Sequence, residues 1–227
     1  MPLLKICGLQ RTEDAVACAE FGVDVIGCIV NYPEAVPWRI QPQQARRLIE
    51  TVRGKARSCI VTGGLPREIL ALAEQLRPDM IQLHYKETLE ETRFLARRLA
   101  DIGISVIKAI PIRPDGSCEM AEFACAEEAA QVLAAETEVS MLLLDARCAA
   151  APMAKYGRID LSLYRRTARA IAKPLLLAGG LTSDILPEIL HQIQPYGVDI
   201  LTGAEQAPGV KDYAKLRILC RICGKSV

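Results

Sequence analysis

The chain of 227 residues is predicted to fold as a single-domain α/β protein, a parallel eight-stranded (β/α)8 barrel, and three observations lead there. Short apolar runs alternate with longer amphipathic stretches, eight times over. The runs lack the polar–apolar alternation of half-exposed strands, so they read as strands buried on both faces. Half of the residues are apolar but only 4% are aromatic, so Ala, Ile, Leu and Val do the packing, as suits parallel strands covered by helices. A doubly wound open sheet is the rival, but it usually has fewer strands and a clear switch point. No linker or composition shift divides residues 1–227, so one domain is expected.

Each element has its own signal. Leu3 to Cys7 forms the first apolar run. Thr12-Glu13-Asp14 then opens a helix and Gly22 follows its end, polar residues and glycine standing where helices start and stop. Val23 to Val30 is the second strand, and Pro42, at home in a first helical turn, opens a helix with Ala45, Leu48 and Ile49 on one face. Ser58 to Thr62 precedes a helix over Pro66 to Leu76, and Met80 to His84 precedes one over Thr88 to Ala100. Ser105 to Ile112 and the helix Glu119 to Ala135 make the fifth unit, Ser140 to Asp145 and Leu161 to Ile171 the sixth. Pro174 to Ala178 with Ser183 to Ile193, and Val198 to Leu201 with Lys211 to Cys223, complete the eight.

Composition excludes several classes. Net charge is +1 with no polybasic block and few aromatic residues to stack bases, so neither nucleic acid nor an anionic membrane is an expected partner. The longest apolar runs are about eight residues, too short to span a bilayer. Lys5, Arg11, Glu13 and Asp14 interrupt the first segment, so no secretory leader is read and a cytoplasmic location is expected. Most of the nine cysteines sit in apolar runs as small hydrophobes, and their odd number argues against a disulfide framework. Cys220-Arg221-Ile222-Cys223 has ligand-like spacing but no second Cys/His pair, and His84 and His191 stand too far apart for a metal site. No metal site is expected from these spacings.

In barrels of this kind, function sits in the loops after the C-terminal strand ends. Cys7 ends the first strand, where a thiol acts as base or nucleophile if a nearby cation lowers its pKa; otherwise it is a buried small hydrophobe. Lys5 lies two residues earlier, on the same side, and its ammonium would favour the thiolate. Asp145 ends the sixth strand behind four apolar residues; a desolvated carboxyl there can hold and donate a proton, the alternative being a solvated or capping aspartate. Gly179 and Gly180, with Thr202 and Gly203, follow adjacent strands and offer backbone that can approach a phosphate, or serve as plain tight turns. His84, at the end of the fourth strand, either lines the mouth or plays a hydrogen-bonded structural part.

Lys5-Ile6-Cys7-Gly8, Glu13-Asp14-Ala15, Gly22-Val23-Asp24, Gln82-Leu83-His84, Leu143-Leu144-Asp145, Leu177-Ala178-Gly179-Gly180-Leu181 and Pro208-Gly209-Val210-Lys211-Asp212 run in register with one family. The chain resembles the phosphoribosylanthranilate isomerases of tryptophan biosynthesis over almost its whole length. The resemblance implies an Amadori rearrangement of a phosphorylated sugar-amine without metal or cofactor, by a monomer or homodimer. Asp145 would protonate the ribose ring oxygen, Cys7 would remove the C2 proton, and Gly180, Thr202 and Gly203 would hold the phosphate. The aryl end departs from the family pattern. Val36-Pro37-Trp38-Arg39 replaces Ser-Pro-Arg-Tyr, so the arginine facing the anthranilate carboxylate is replaced by Trp38 or displaced to Arg39. Tyr85 stands for a glycine, Pro111 for an arginine, and the stretch Pro152 to Leu161 lacks the glycines of the family's mobile loop. A related barrel enzyme for another phosphorylated sugar or aminosugar, or a non-catalytic metabolite-binding homologue, are the alternatives.

Overall fold

A computed structural model describes residues 1–113, 115–146 and 160–226. Eight strands, Leu3–Ile6, Val25–Val30, Arg57–Thr62, Met80–Leu83, Ser105–Pro111, Val139–Asp145, Leu175–Ala178 and Gly197–Ile200, each pair in parallel with the next. The first strand also pairs with the last, Lys5 opposite Asp199, and this closes the sheet into a barrel. A helix follows each strand: Thr12–Glu20, Pro42–Val52, Pro66–Leu76, Leu89–Ala100, Ala126–Ala134, Leu161–Arg169, Leu186–Ile193 and Tyr213–Ile222. No helix among the described residues is long and apolar enough to cross a membrane.

The period of two along each strand divides the apolar residues between two cores. On the sixth strand Leu142 and Leu144 join the layer between sheet and helices, while Met141 and Leu143 join a smaller cluster inside the barrel with Val25, Met80 and Leu176. A run such as Met141 to Leu144 is therefore apolar throughout because both of its faces are covered, and each leucine so buried contributes roughly 1.5–3 kcal/mol.

The boundaries differ from expectation where loops spend backbone donors on other partners. The helix expected from Glu119 begins only at Ala126. Ahead of it Glu119 N–H donates to Pro111 O (2.9 Å), Ile112 bridges Cys118, and Cys125 is extended. The last helix begins at Tyr213, because Lys211 belongs to a two-stranded antiparallel hairpin, Glu205–Ala207 with Val210–Lys211. Its turn needs Gly209 at φ +78°, in the left-handed region. Asp212 then caps that helix, accepting from the N–H groups of Ala214 and Lys215. Cys7, His84 and Leu201 each lie one residue past a strand, which sets their side chains at the barrel rim.

Candidate active site

Leu4 and Ile6 face the helices, so the alternation turns Lys5 and Cys7 into the barrel. Cys7 lines a cavity of about 580 Å³ at the C-terminal mouth, together with His84, Asp145, Gly180 and Thr202. Lys5 lies below, wholly buried and outside that lining, with Nζ 2.6 Å from Asp199 Oδ2. Thiol and ammonium converge on Gly27, where a Cβ would stand 3.1 Å from Cys7 Sγ and 3.2 Å from Lys5 Nζ. Lys5 favours the thiolate, as expected, but burial outweighs it. Burial pushes the Cys7 thiol up, Lys5 pulls it down, Asp199 pushes it up again, and the net shift is upward. Lys5 stays firmly protonated: Asp199 and the surrounding thiols override the burial that opposes its charge.

Asp145 closes the sixth strand, opposite Pro111 on one side and Ala178 on the other, and is 6% exposed. His84 Nε2 lies 3.1 Å from Asp145 Oδ2, and Gln82 Nε2 lies 2.9 Å from His84 Nδ1. Gln82 and His84, two residues apart, share the inward side of the fourth strand. Tyr32 donates its hydroxyl to His84 O (2.9 Å) and meets the Tyr85 ring edge to face, centroids 5.7 Å apart.

The glycine turns fall at the seventh and eighth strand ends, as expected. Gly179 (φ +109°) and Gly180 (φ +63°) line the cavity with Thr202, in a backbone conformation that excludes larger residues. Gly203 is not in the lining. A Cβ there would sit 1.9 Å from Leu181 O, so this glycine lets the two loops press together behind the cavity wall.

At the other end of the cavity the sequence reading is only partly matched. Arg39 is exposed, donates Nη1–H to Tyr32 O (3.2 Å) and does not line the cavity. Trp38 does, 2% exposed, its Nε1–H shared between Glu205 Oε1 (3.0 Å) and Oε2 (3.1 Å). Glu205 also accepts from Gly209 N–H (3.1 Å) and pairs with Lys211 Nζ (2.9 Å), which in turn donates to Cys7 O (2.6 Å). Glu205 and Lys211 escaped sequence reasoning because a turn glutamate and a presumed helix-start lysine look solvated. Pro208-Gly209 was the available signal, since a tight turn would fold one back on the other. Arg113 and Lys86 line the cavity on its rim. Residues Arg147 to Ile159, which hold most of the stretch that departs from the family's loop, lie outside the described residues. Among the described residues no three His, Cys, Asp or Glu side chains are grouped to hold a metal ion.

Comparison with known proteins adds the following. Residues 4–221 match the family model of N-(5'-phosphoribosyl)anthranilate (PRA) isomerase. The N-(5'-phosphoribosyl)anthranilate isomerase of Nitrosococcus oceani is 34% identical, covering 96% of this chain and 95% of its own. The phosphoribosylanthranilate isomerase structure from Thermotoga maritima superposes with a TM-score of 0.79 at 27% identity, over 99% of each chain. Another isomerase structure, in complex with reduced 1-(o-carboxyphenylamino)-1-deoxyribulose 5-phosphate, gives 0.76 at 27% identity, again over 99% of each chain.

Proposed function

The chain belongs to the N-(5'-phosphoribosyl)anthranilate isomerase family, and from that premise we propose that it catalyses the Amadori rearrangement of N-(5'-phosphoribosyl)anthranilate to the 1-deoxyribulose phosphate, with Asp145 as acid and Cys7 as base. The observation that carries this reading is the shared cavity: thiol and carboxyl close two barrel strands, the first and the sixth, on one mouth that also holds the Gly179-Gly180 turn and Thr202.

The chemistry suits that layout. Asp145 gives its proton to the ribose ring oxygen as the C1–O bond breaks and the nitrogen lone pair forms a protonated imine. Cys7, as thiolate, takes the proton from C2, and the C–H electron pair flows through C1 to nitrogen to leave an enolamine. Proton gain at C1 and loss from the C2 hydroxyl then give the ketose. Two positioned proton-transfer groups typically contribute 10²–10⁴-fold each. The phosphate would rest on the N–H groups of the Gly179-Gly180 turn and at Thr202, Gly203 fixing the second loop behind them. No cofactor takes part in these steps. We place the protein in the cytoplasm, as one barrel domain over residues 1–227, acting as monomer or homodimer.

One observation favours a second reading. Tyr32, Val36 and Trp38 line the end where the family's arginine would face a carboxylate, and Arg39 stands outside, which suits a phosphorylated sugar-amine with another substituent. Turnover of phosphoribosylanthranilate, followed by loss of its fluorescence, tests both. We expect turnover that Cys7→Ser and Asp145→Asn each abolish. Binding without turnover supports the second reading or a non-catalytic homologue, and turnover untouched by both substitutions removes the acid and base assignments.

A further inference from the structure

The placement of the reacting groups decides which end of the cavity receives the amine substituent. The Gly179-Gly180 turn and Thr202 follow the seventh and eighth strands, and Cys7 and Asp145 close the first and sixth. A sugar with its phosphate on that turn and its C1–C2 bond between thiol and carboxyl sends the group on C1 toward the loops of the second to fifth strands. Tyr32, Tyr85, Lys86 and Thr88 line the cavity on that side.

Of these, Tyr85 is held from several directions. Its backbone N–H donates to Glu87 Oε2 (3.2 Å), and that carboxylate is buried against Lys108, whose Nζ lies 2.5 Å from the same oxygen. Its ring meets the Tyr32 ring edge to face, and Lys86 Nζ lies 5.3 Å from its centroid. Against its stem stands Gly63, one residue past the third strand. A Cβ on Gly63 would overlap Tyr85 Cβ, and it would come 3.2 Å from Tyr85 Cγ and 2.9 Å from Glu87 Oε1. Gly63 is not among the glycines with positive φ, so this position uses the missing side chain and not the conformational freedom of glycine. Moving the ring would break the bond to Glu87 or the contact with Tyr32, so an oversized substituent meets a wall. We infer that Tyr85 is a specificity-determining residue: seated on Gly63 and braced by Tyr32, its ring bounds the compartment for the amine substituent and limits how large an aryl group the enzyme accepts. This rests on the reading of the acid, the base and the phosphate seat given above.

Two substrates that differ by one fused ring read the limit: phosphoribosylanthranilate, and the analogue built on 3-amino-2-naphthoate, which keeps the adjacent amine and carboxylate. We expect the wild type to favour the smaller one roughly 100-fold in kcat/KM, and Tyr85→Ala, which removes the ring and keeps the Cβ, to bring that preference below about tenfold. Gly63→Ala should lower the midpoint of chemical denaturation, and adding Tyr85→Gly to it should raise the midpoint again, because only one of the two facing positions has room for a Cβ. The reduced forms of the two ketose products, titrated in a calorimeter, give the same size preference without turnover. A wild type indifferent to the second ring, an unchanged preference in Tyr85→Ala, or a Gly63→Ala variant no less stable than the double variant would each overturn the inference. If the wild type turns over neither substrate, the proposed reaction falls, and the binding ratio of the reduced products alone then upholds or overturns the size limit.

Discussion

Cys7 has a barrel interior that penalises its negative charge and an ammonium that invites it, and burial wins. For the proposed base this fixes a sign. Activity needs the thiolate, so kcat/KM should climb with pH along a limb lying above the ordinary thiol range. Lys5→Met removes the largest opposing influence and should move that limb to still higher pH, read from the pH profile of kcat/KM. Residues at this scale were legible in the sequence when a strand end exposed them: Cys7, Asp145, His84, Gly180 and Thr202 all reach one cavity. What the letters could not convey was the sum of burial and charge around the thiol, or that Arg39 would turn to the surface while Trp38 took the inner place. Both depend on contacts between segments far apart in the chain, such as Trp38 with Glu205.

Helix ends and turns were read well where a local hydrogen bond decides them. Thr88 accepts from Glu91 N–H while Glu91 accepts from Thr88 N–H, a reciprocal cap on the helix Leu89–Ala100. Thr88→Ala should therefore lower stability by about 1 kcal/mol in urea denaturation. Arg77, at the end of Pro66–Leu76, is held at φ +49°, a conformation that costs a residue with a Cβ. Arg77→Gly should raise stability by about 0.5–1 kcal/mol, seen as a higher denaturation midpoint. The helix beginning at Ala126 was misplaced because Glu119 to Cys125 has helical spacing of its apolar residues but uses its donors on Pro111 and Cys118. Periodicity reports a face; it does not report which carbonyl an N–H will choose.

Closure of the barrel buries charged side chains, and each of them is paired. Lys211 is 2% exposed, and it joins Glu205 to the backbone of Cys7, tying the last hairpin to the first strand. Lys211→Met would leave the Glu205 carboxylate buried without its cation and should cost about 3–5 kcal/mol, measured by chemical denaturation. The buried thiols set a second property of the whole molecule. Burial raises Cys59 to about 12, against an unfolded thiol near 8.5. A raised value means that the folded state holds the proton more tightly. The stabilisation is complete below the unfolded value and disappears as pH rises toward the folded one, so stability should decline above about pH 8.5. Cys59→Ala should flatten that decline in melts recorded between neutral and alkaline pH. The wedge at Gly203 has a consequence for anyone reshaping this scaffold. Since that residue abuts the carbonyl of Leu181, the seventh and eighth loops form a lock whose halves were cut for each other; grafts from a cousin should be transplanted as a matched set, and a library diversifying one alone will be populated by pairs that no longer close.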